Sequence, residues 1–282
     1  MNVKSFLKRK LTKIEKEKVL IPCIEGHYLE NRCAFITGGS SGIGFSIAES
    51  FVKNGATVII TGRNEEKLEI AKKNLILNCG CVEQKVITAV FDISRTDSIQ
   101  ENLLSIINQT NNIVDIFVNN AGINTGDLFP NTIEEDYDKV LDTNLKGVYF
   151  TSQAMINYMV ENKIKGNILN ITSSSSLRPA VSPYILSKWG ERGLTLGMAK
   201  KYLPYGIIIN GLAPGSTATA MLNNENSNDL YCDYSPSKRY LAPEEVGNMA
   251  TILVSDIGRM IVGDTIYMTG GAGIITFDDM EY

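Results

Sequence analysis

The chain of 282 residues carries a single histidine, His27. That scarcity excludes chemistry that leans on imidazole, including zinc sites built from mixed Cys and His ligands. Cysteine is sparse as well: Cys23, Cys33, Cys79, Cys81 and Cys232 make five, an odd number in a long chain, which argues against a disulfide framework. Cys79-Gly80-Cys81 reads as a loop of small residues rather than a redox or metal pair. No apolar run approaches the length of a membrane span, and the short patch Val19–Ile24 is too weak for a secretory signal, so the default compartment is the cytosol. Nor is there an excess of positive charge. A net charge of −4 argues against a general nucleic-acid binder, which needs a basic surface to meet phosphates.

What is present is an ordinary apolar fraction, 44%, enough for one sizeable α/β core. Residues 1–32 stand apart as a basic arm containing Lys4, Lys8, Arg9, Lys10, Lys13, Lys16 and Lys18. Val3, Phe6, Leu7, Leu11 and Ile14 recur at helical spacing, so the arm reads as solvated or docked on a neighbouring subunit, in preference to a membrane-surface helix. From Cys33 to the end, 33–282, strand and helix patterns alternate as one domain. Strands are expected at Cys33–Thr37, Thr57–Thr61, Glu83–Phe91, Ile113–Val118, Gly166–Thr172, Ile207–Leu212 and Thr265–Met268, and helices near 42–54, 64–78, 95–109, 132–161, 183–203 and 243–255. Short Val- and Ile-rich strands alternating with helices give a parallel sheet covered on both faces. Residues 216–240 break the rhythm, and a loop of that length in a compact domain reads as an active-site lid.

Thr37-Gly38-Gly39-Ser40-Ser41-Gly42-Ile43-Gly44 joins the first strand to the first helix. Glycines there let the backbone turn sharply and approach a pyrophosphate, while the helix N-terminus offers N–H groups to the negative charge. Gly38-Gly39-Ser40-Ser41-Gly42 also fits the nucleophile elbow of a serine hydrolase. That rival fails because its fold needs a histidine after the nucleophile, and His27 lies before it. The second strand ends Thr61-Gly62-Arg63. An acidic residue that would bind the ribose hydroxyls of NAD is missing at Gly62, and Arg63 suits the extra phosphate of NADP.

Tyr184 and Lys188 stand four apart at the start of an expected helix, after a Ser182-Pro183 start signal, and so share one face. A nearby ammonium favours the phenolate, which makes a tyrosine a usable acid or base near neutral pH.

Taken in order, the glycine turn, Asn119-Asn120-Ala121-Gly122, Asn144, the serine cluster before Tyr184, Tyr184-Ile185-Leu186-Ser187-Lys188 and Pro214-Gly215 resemble the classical short-chain dehydrogenase/reductase family over about residues 33–272. The resemblance implies a Rossmann-type, doubly wound, seven-stranded parallel sheet of order 3-2-1-4-5-6-7. It also implies a homodimer or homotetramer assembled through helices around 132–161 and 183–203, and an NADP-dependent oxidoreductase acting on a small-molecule carbonyl or alcohol. A 3-oxoacyl-thioester reductase and a sugar or polyol dehydrogenase are both compatible. A catalytically silent nucleotide-binding scaffold is disfavoured by the intact set of Asn144, Ser173, Tyr184 and Lys188.

Within that resemblance Tyr184 donates the proton, Lys188 lowers the tyrosine pKa and bonds the nicotinamide ribose, Ser173 binds the substrate oxygen and Asn144 holds a relay water. Gly38, Ser40, Ser41, Gly42, Ile43 and Gly44 cradle the pyrophosphate. Asp92 and Ile93 lie against the adenine, and Asn119, Ala121 and Gly122 beside the adenosine ribose and its strand. Pro214, Gly215, Thr217 and Thr219 line the nicotinamide end, and no metal is expected. Two features depart from the family pattern. One is the basic arm; the other is a spacing of eleven between Ser173 and Tyr184, shorter than is common, which leaves Ser174 and Ser175 as alternatives.

Overall fold

A computed structural model describes residues 26–219 and 230–276. In chain order the elements are β1 (Cys33–Thr37), α1 (Gly42–Lys53), β2 (Thr57–Gly62), α2 (Glu65–Cys79), β3 (Val86–Val90), α3 (Ile99–Thr110) and β4 (Ile116–Asn119). After these come α4 (Glu134–Leu141), a π-helical turn (Asp142–Gly147), α5 (Val148–Glu161), β5 (Asn167–Ile171), α6 (Pro183–Tyr202), β6 (Ile208–Pro214), α7 (Pro243–Val254) and β7 (Thr265–Met268). The seven strands form one sheet of order β3-β2-β1-β4-β5-β6-β7, and every pairing is parallel.

Successive strand residues point to opposite faces, and β1 shows the consequence. Ala34 and Ile36 enter an apolar layer with Ile47, Phe51, Leu68, Val246 and Leu253, under α1, α2 and α7. Cys33 and Phe35 enter the other layer with Leu103, Ile107, Met155 and Met198, under α3, α5 and α6. Each aliphatic side chain so buried contributes roughly 1.5–3 kcal/mol. Because both faces are covered, ligands are left the C-terminal edge of the strands, where the chain turns from strand to helix.

The first layer is tight where α1 meets α7. Ser50 and Thr251 hydroxyls bond at 2.8 Å, and a Cβ on Gly247 would lie 2.5 Å from the Ser46 carbonyl oxygen. At the opposite edge of the sheet the Arg32 guanidinium donates to the Asp115 carboxylate and, at 2.9 Å, to Asn167 Oδ1, tying the entries to β1, β4 and β5. Leu29 is fully buried in the first layer. Residues 29–32 of the sequence-defined arm therefore pack on the domain, whereas residues 1–25 lie outside the described residues.

Four expected elements differ. The strand expected at Glu83–Phe91 opens with a 3-10 turn at Glu83–Lys85, closed by the Lys85 N–H on the Val82 carbonyl. The strand expected from Ile113 starts at Ile116, and Ile113 is exposed. The helix expected from residue 95 starts at Ile99, because the chain first makes two turns in which Arg95 N–H bonds Asp92 O and Ser98 N–H bonds Arg95 O. The single helix expected over 132–161 is interrupted by the π-helical turn at Asp142–Gly147. There the backbone passes so close to Ile93 that a Cβ on Gly147 would lie 2.6 Å from its carbonyl oxygen.

Candidate active site

Gly38 follows β1 with φ +66°, and Gly42 opens α1 with φ +55°, both in the left-handed region that other residues avoid. A Cβ on Gly38 would fall 2.9 Å from Ala121 Cα, and one on Gly44 would overlap the Gly38 carbonyl and the Asn120 amide. The turn is held from outside by Asn120, whose Nδ2 donates to the carbonyls of Thr37 at 2.9 Å and Gly38 at 3.0 Å. Thr37 Oγ1 accepts from the backbone N–H of Asn120 at 3.0 Å and of Ala121 at 3.1 Å. Ser41 occupies the N-cap of α1 without a side-chain capping bond. The first N–H groups of that helix thus face a small, sharply turned backbone, a fit for a pyrophosphate.

Where a carboxylate would be needed for NAD, a Cβ on Gly62 would stand 3.6 Å from Ser40 Oγ. The next residue, Arg63, is exposed just ahead of α2. Asp92 and Ile93 follow β3, Ile93 buried and Asp92 half-buried. Asp92 Oδ1 accepts from the Ser94 N–H at 3.0 Å and hydroxyl at 2.8 Å.

Across the cleft, Ser182 caps α6 by accepting from the Ile185 N–H at 3.3 Å, and Pro183 occupies the first turn. That start fixes the helix so that half-buried Tyr184 and buried Lys188 look the same way, with Lys188 Nζ 5.7 Å from the centre of the tyrosine ring. Nζ also donates to the Ile171 carbonyl at the end of β5 at 3.1 Å and to both carboxylate oxygens of Glu191 at 2.8 and 3.0 Å. Burial alone disfavours the ammonium, but the Glu191 charge, Tyr184 and the Glu191 hydrogen bond outweigh it, so the Lys188 pKa is raised. Glu191 was not among the residues nominated by sequence.

Asn144 sits fully buried in the π-helical turn. Its Oδ1 accepts from the Ile123 N–H at 2.9 Å, and its Nδ2 donates to the Ile123 carbonyl at 2.8 Å and to Ser187 Oγ at 3.3 Å. The side chain thus clamps the segment after Gly122 to α6. A Cβ on Gly122 would lie 3.4 Å from Asn144 Oδ1 and 3.8 Å from Lys188 Nζ, which puts Gly122, Asn144 and Lys188 together. Ser173 leaves β5 and caps a short 3-10 turn (Ser174–Leu177) by accepting from Ser175 N–H at 3.1 Å. Ser174 and Ser175 lie inside that turn, both buried.

Asn119 turns away from the cleft. Its side chain bonds Ser152 Oγ at 2.9 Å, Asn170 Oδ1 at 2.8 Å and Thr151 Oγ1 at 3.0 Å, stitching β4 to α5 and β5. Asn120 beside it is the residue that shapes the glycine turn. Its signal in the sequence is the doubled asparagine before Ala121-Gly122.

Pro214 ends β6 and Gly215 passes close to Thr269, whose Cα would be 2.9 Å from a glycine Cβ. Thr217 is buried, with Oγ1 donating to the Gly215 carbonyl at 2.9 Å. Thr219 reaches back to the glycine turn, its Cγ2 3.5 Å from where a Cβ on Gly42 would be. Of the expected lid at 216–240, residues 220–229 lie outside the described residues. The flanks are pinned: Ala218 N–H bonds Leu241 O, and Leu241 N–H bonds Ser216 O, both at 2.9 Å. Arg239 forms a two-pronged pair with Glu245, both contacts at 2.7 Å.

Among the described residues no group of His, Cys, Asp and Glu is assembled to hold a metal, and no helix is long and apolar enough to cross a membrane.

Comparison with known proteins identifies the family. The family model described as short chain dehydrogenase matches residues 32–230. A gluconate 5-dehydrogenase of Gluconobacter oxydans is 34% identical over 84% of this chain and 93% of its own length. A 3-oxoacyl-[acyl-carrier-protein] reductase of Chlamydia trachomatis is 34% identical over 86% of this chain and 98% of its own. Among solved structures, a gluconate 5-dehydrogenase from Burkholderia cenocepacia in complex with NADP and tartrate is 31% identical, with a TM-score of 0.77 over 87% of this chain and 96% of that one. The chain belongs to the short-chain dehydrogenase family of oxidoreductases.

Proposed function

We propose that the protein is an NADP(H)-dependent carbonyl reductase, or the matching alcohol dehydrogenase, of small molecules. The observation that carries this is the shared face of α6, with the Lys188 ammonium beside the Tyr184 ring and next to Gly122 and Asn144. Gly38 to Gly44 would hold the pyrophosphate, and Ser40 and Arg63 the additional phosphate of NADP. Asp92 and Ile93 would border the adenine, Ala121, Gly122 and the backbone of Asn119 its ribose, and Pro214, Gly215, Thr217 and Thr219 the nicotinamide end. When bound, the cofactor supplies or accepts the hydride. Tyr184 holds the proton for the substrate oxygen, Lys188 stabilises the phenolate left behind, and Ser173 offers a hydroxyl to that oxygen. Asn144 fixes the wall behind them, and a water held near it would complete the proton path.

The relatives point to two substrate classes, the oxo group of a polyhydroxy acid and that of an acyl thioester. Residues 216–240 would choose between them as a lid. An assembly of two or four subunits through α5 and α6 fits the exposure of Tyr149, Phe150, Leu186 and Trp189 on those helices. The test is NADPH oxidation with 5-keto sugar acids, simple ketones and 3-oxoacyl thioesters. Turnover of one class well above the rest is expected, and absence of turnover across the panel would count against a reductase.

A further inference from the structure

Glu191 is a buried carboxylate that the proton path above does not use. Positions 184, 188, 191 and 195 follow one another at helical spacing, so Tyr184, Lys188, Glu191 and Thr195 form one inward stripe of α6. The Lys188 and Glu191 side chains keep only 6% and 2% of their surface exposed. An ammonium has three N–H groups, and both Glu191 carboxylate oxygens and the Ile171 carbonyl lie within hydrogen-bond distance of Nζ; one N–H shared between the two carboxylate oxygens leaves a third for the cofactor. Among the described residues Lys188 is the one donor to the Glu191 carboxylate. An ion pair this deep gives little net stability compared with apolar residues of the same size. Packing alone therefore does not account for an acid at this position.

The surroundings leave this pair to itself. β5, β6 and the Ser174–Leu177 turn contain no titratable side chain, and buried Arg178, just after that turn, carries its guanidinium beside Gly273. In the π-helical turn, Asp142 and Lys146 pair with each other at the surface at 3.0 Å. On α4, Glu134, Glu135, Tyr137, Asp138 and Lys139 are exposed and Asp136 is half-buried beneath Gly126. On α6 itself, Arg192 lies over the Trp189 ring. The charges that act on Lys188 are Glu191 and Tyr184.

We propose that Glu191 is a positioning residue whose carboxylate keeps the Lys188 ammonium charged and anchored, so that the lysine meets the cofactor in one protonation state across the working pH range. The proposal rests on the reading that Lys188 faces the nicotinamide ribose. Glu191 acts through Lys188 and touches no reacting atom. Burial pushes the Glu191 carboxyl up to about 7, with Lys188 offsetting only part of that effect. The pair loses its protons in two steps, the carboxyl first and the ammonium later, and between them it is an ion pair. Without the carboxylate, burial is left to drive the lysine towards its neutral form.

The experiment follows the lysine directly. Lysine labelled with carbon-13 at Cε is titrated by NMR in the full chain without cofactor, and the Lys188 signal is identified by its loss in Lys188→Arg. Wild type should keep Lys188 protonated into the ordinary lysine range. Glu191→Gln, which keeps the shape and removes the charge, should release the proton at lower pH, and Glu191→Asp should fall between the two. NADPH binding, read by its fluorescence, should weaken by about tenfold or more from about pH 7 to about pH 9.5 in Glu191→Gln, and by less than about threefold in wild type. A merely structural Glu191 would lower the melting temperature and leave the Lys188 midpoint in place, and an unmoved midpoint in Glu191→Gln overturns the proposal. Should that variant fail to fold, a Glu191→Asp midpoint equal to wild type overturns it as well. Failure of the wild type to bind NADPH would instead sink the cofactor reading, and the lysine titration separates the two results.

Discussion

The glycine turn after β1 and the Tyr184–Lys188 face of α6 occupy the same edge of the sheet but are made of different material. The turn is backbone: Gly38, Gly42 and Gly44 are there because a side chain would collide or force a disfavoured φ, and Asn120 clamps two of the turn's carbonyls. The α6 face is side chains: a phenol, an ammonium and a buried carboxylate held by a helix whose start Ser182 and Pro183 define. The first wall works through shape and the second through charge. Substitutions in the turn should therefore damage binding, and those on α6 should damage chemistry, with binding affected there only through Lys188.

The sharpest test of that division is Tyr184→Phe, which removes a hydroxyl and leaves the ring. Turnover should fall by about 10²–10⁴-fold, the usual share of general acid catalysis, while NADPH affinity stays close to wild type. A variant that keeps about a tenth of wild-type turnover or more, a barrier change of about 1.4 kcal/mol or less, would erase the contrast.

On the binding side, Arg63→Ala should weaken NADPH by about 1.5–3 kcal/mol, the worth of a hydrogen bond to a charged group, and leave NADH nearly unchanged. Paired titrations with the two cofactors decide it, and equal losses would make Arg63 a structural residue. Gly44→Ala should cost about 1–3 kcal/mol of stability through overpacking and should reduce cofactor affinity with it, because the new methyl displaces the Gly38 carbonyl and Asn120. Thermal melts with and without NADPH would show both effects. A stable Gly44→Ala protein that binds normally would mean that the turn has slack.

The smallest effect is expected at Glu245, which anchors the segment entering α7. Burial raises its pKa, but the hydrogen bond from Arg239, the Ala242 N–H and the Arg239 charge outweigh burial and lower it overall. A carboxylate lowered in the folded state adds stability above its unfolded pKa and loses it as the pH falls through the folded one. Glu245→Gln should therefore destabilise by up to about 1 kcal/mol at neutral pH, as partly exposed pairs do, and the gap from wild type should close under acid conditions. Melting temperatures across that range test it, and a gap independent of pH would assign the loss to packing.

Local rules made much of the molecule readable. β1 and β7 run where the alternation placed them, and the glycine turn, Ser182-Pro183 and the Tyr184–Lys188 spacing each carry a rule that acts within a few residues. One misreading has a longer-range origin. The pattern over 132–161 is helical throughout, and what interrupts it is contact with Ile93 and the reach of Asn144 to Ile123, residues far off in the chain. In the Asn119-Asn120 pair, strand alternation turns the Asn119 side chain into the core, leaving its backbone at the site, and Asn120, which the sequence reading did not nominate, holds the turn.

The order of strands and helices, the phosphate-binding turn and the paired phenol and ammonium follow from the sequence by itself, because glycine, proline and i, i+4 spacing act at short range. Glu191 is different. One turn along α6 from Lys188, it would read as one more charge on a helix, and on an exposed helix it would be a weak surface ion pair. Packing of α6 over the ends of β5 and β6 removes water from both groups. The tertiary structure alone decides that this carboxylate lies inside, where burial, and not sequence distance, sets how strongly one charge governs the other.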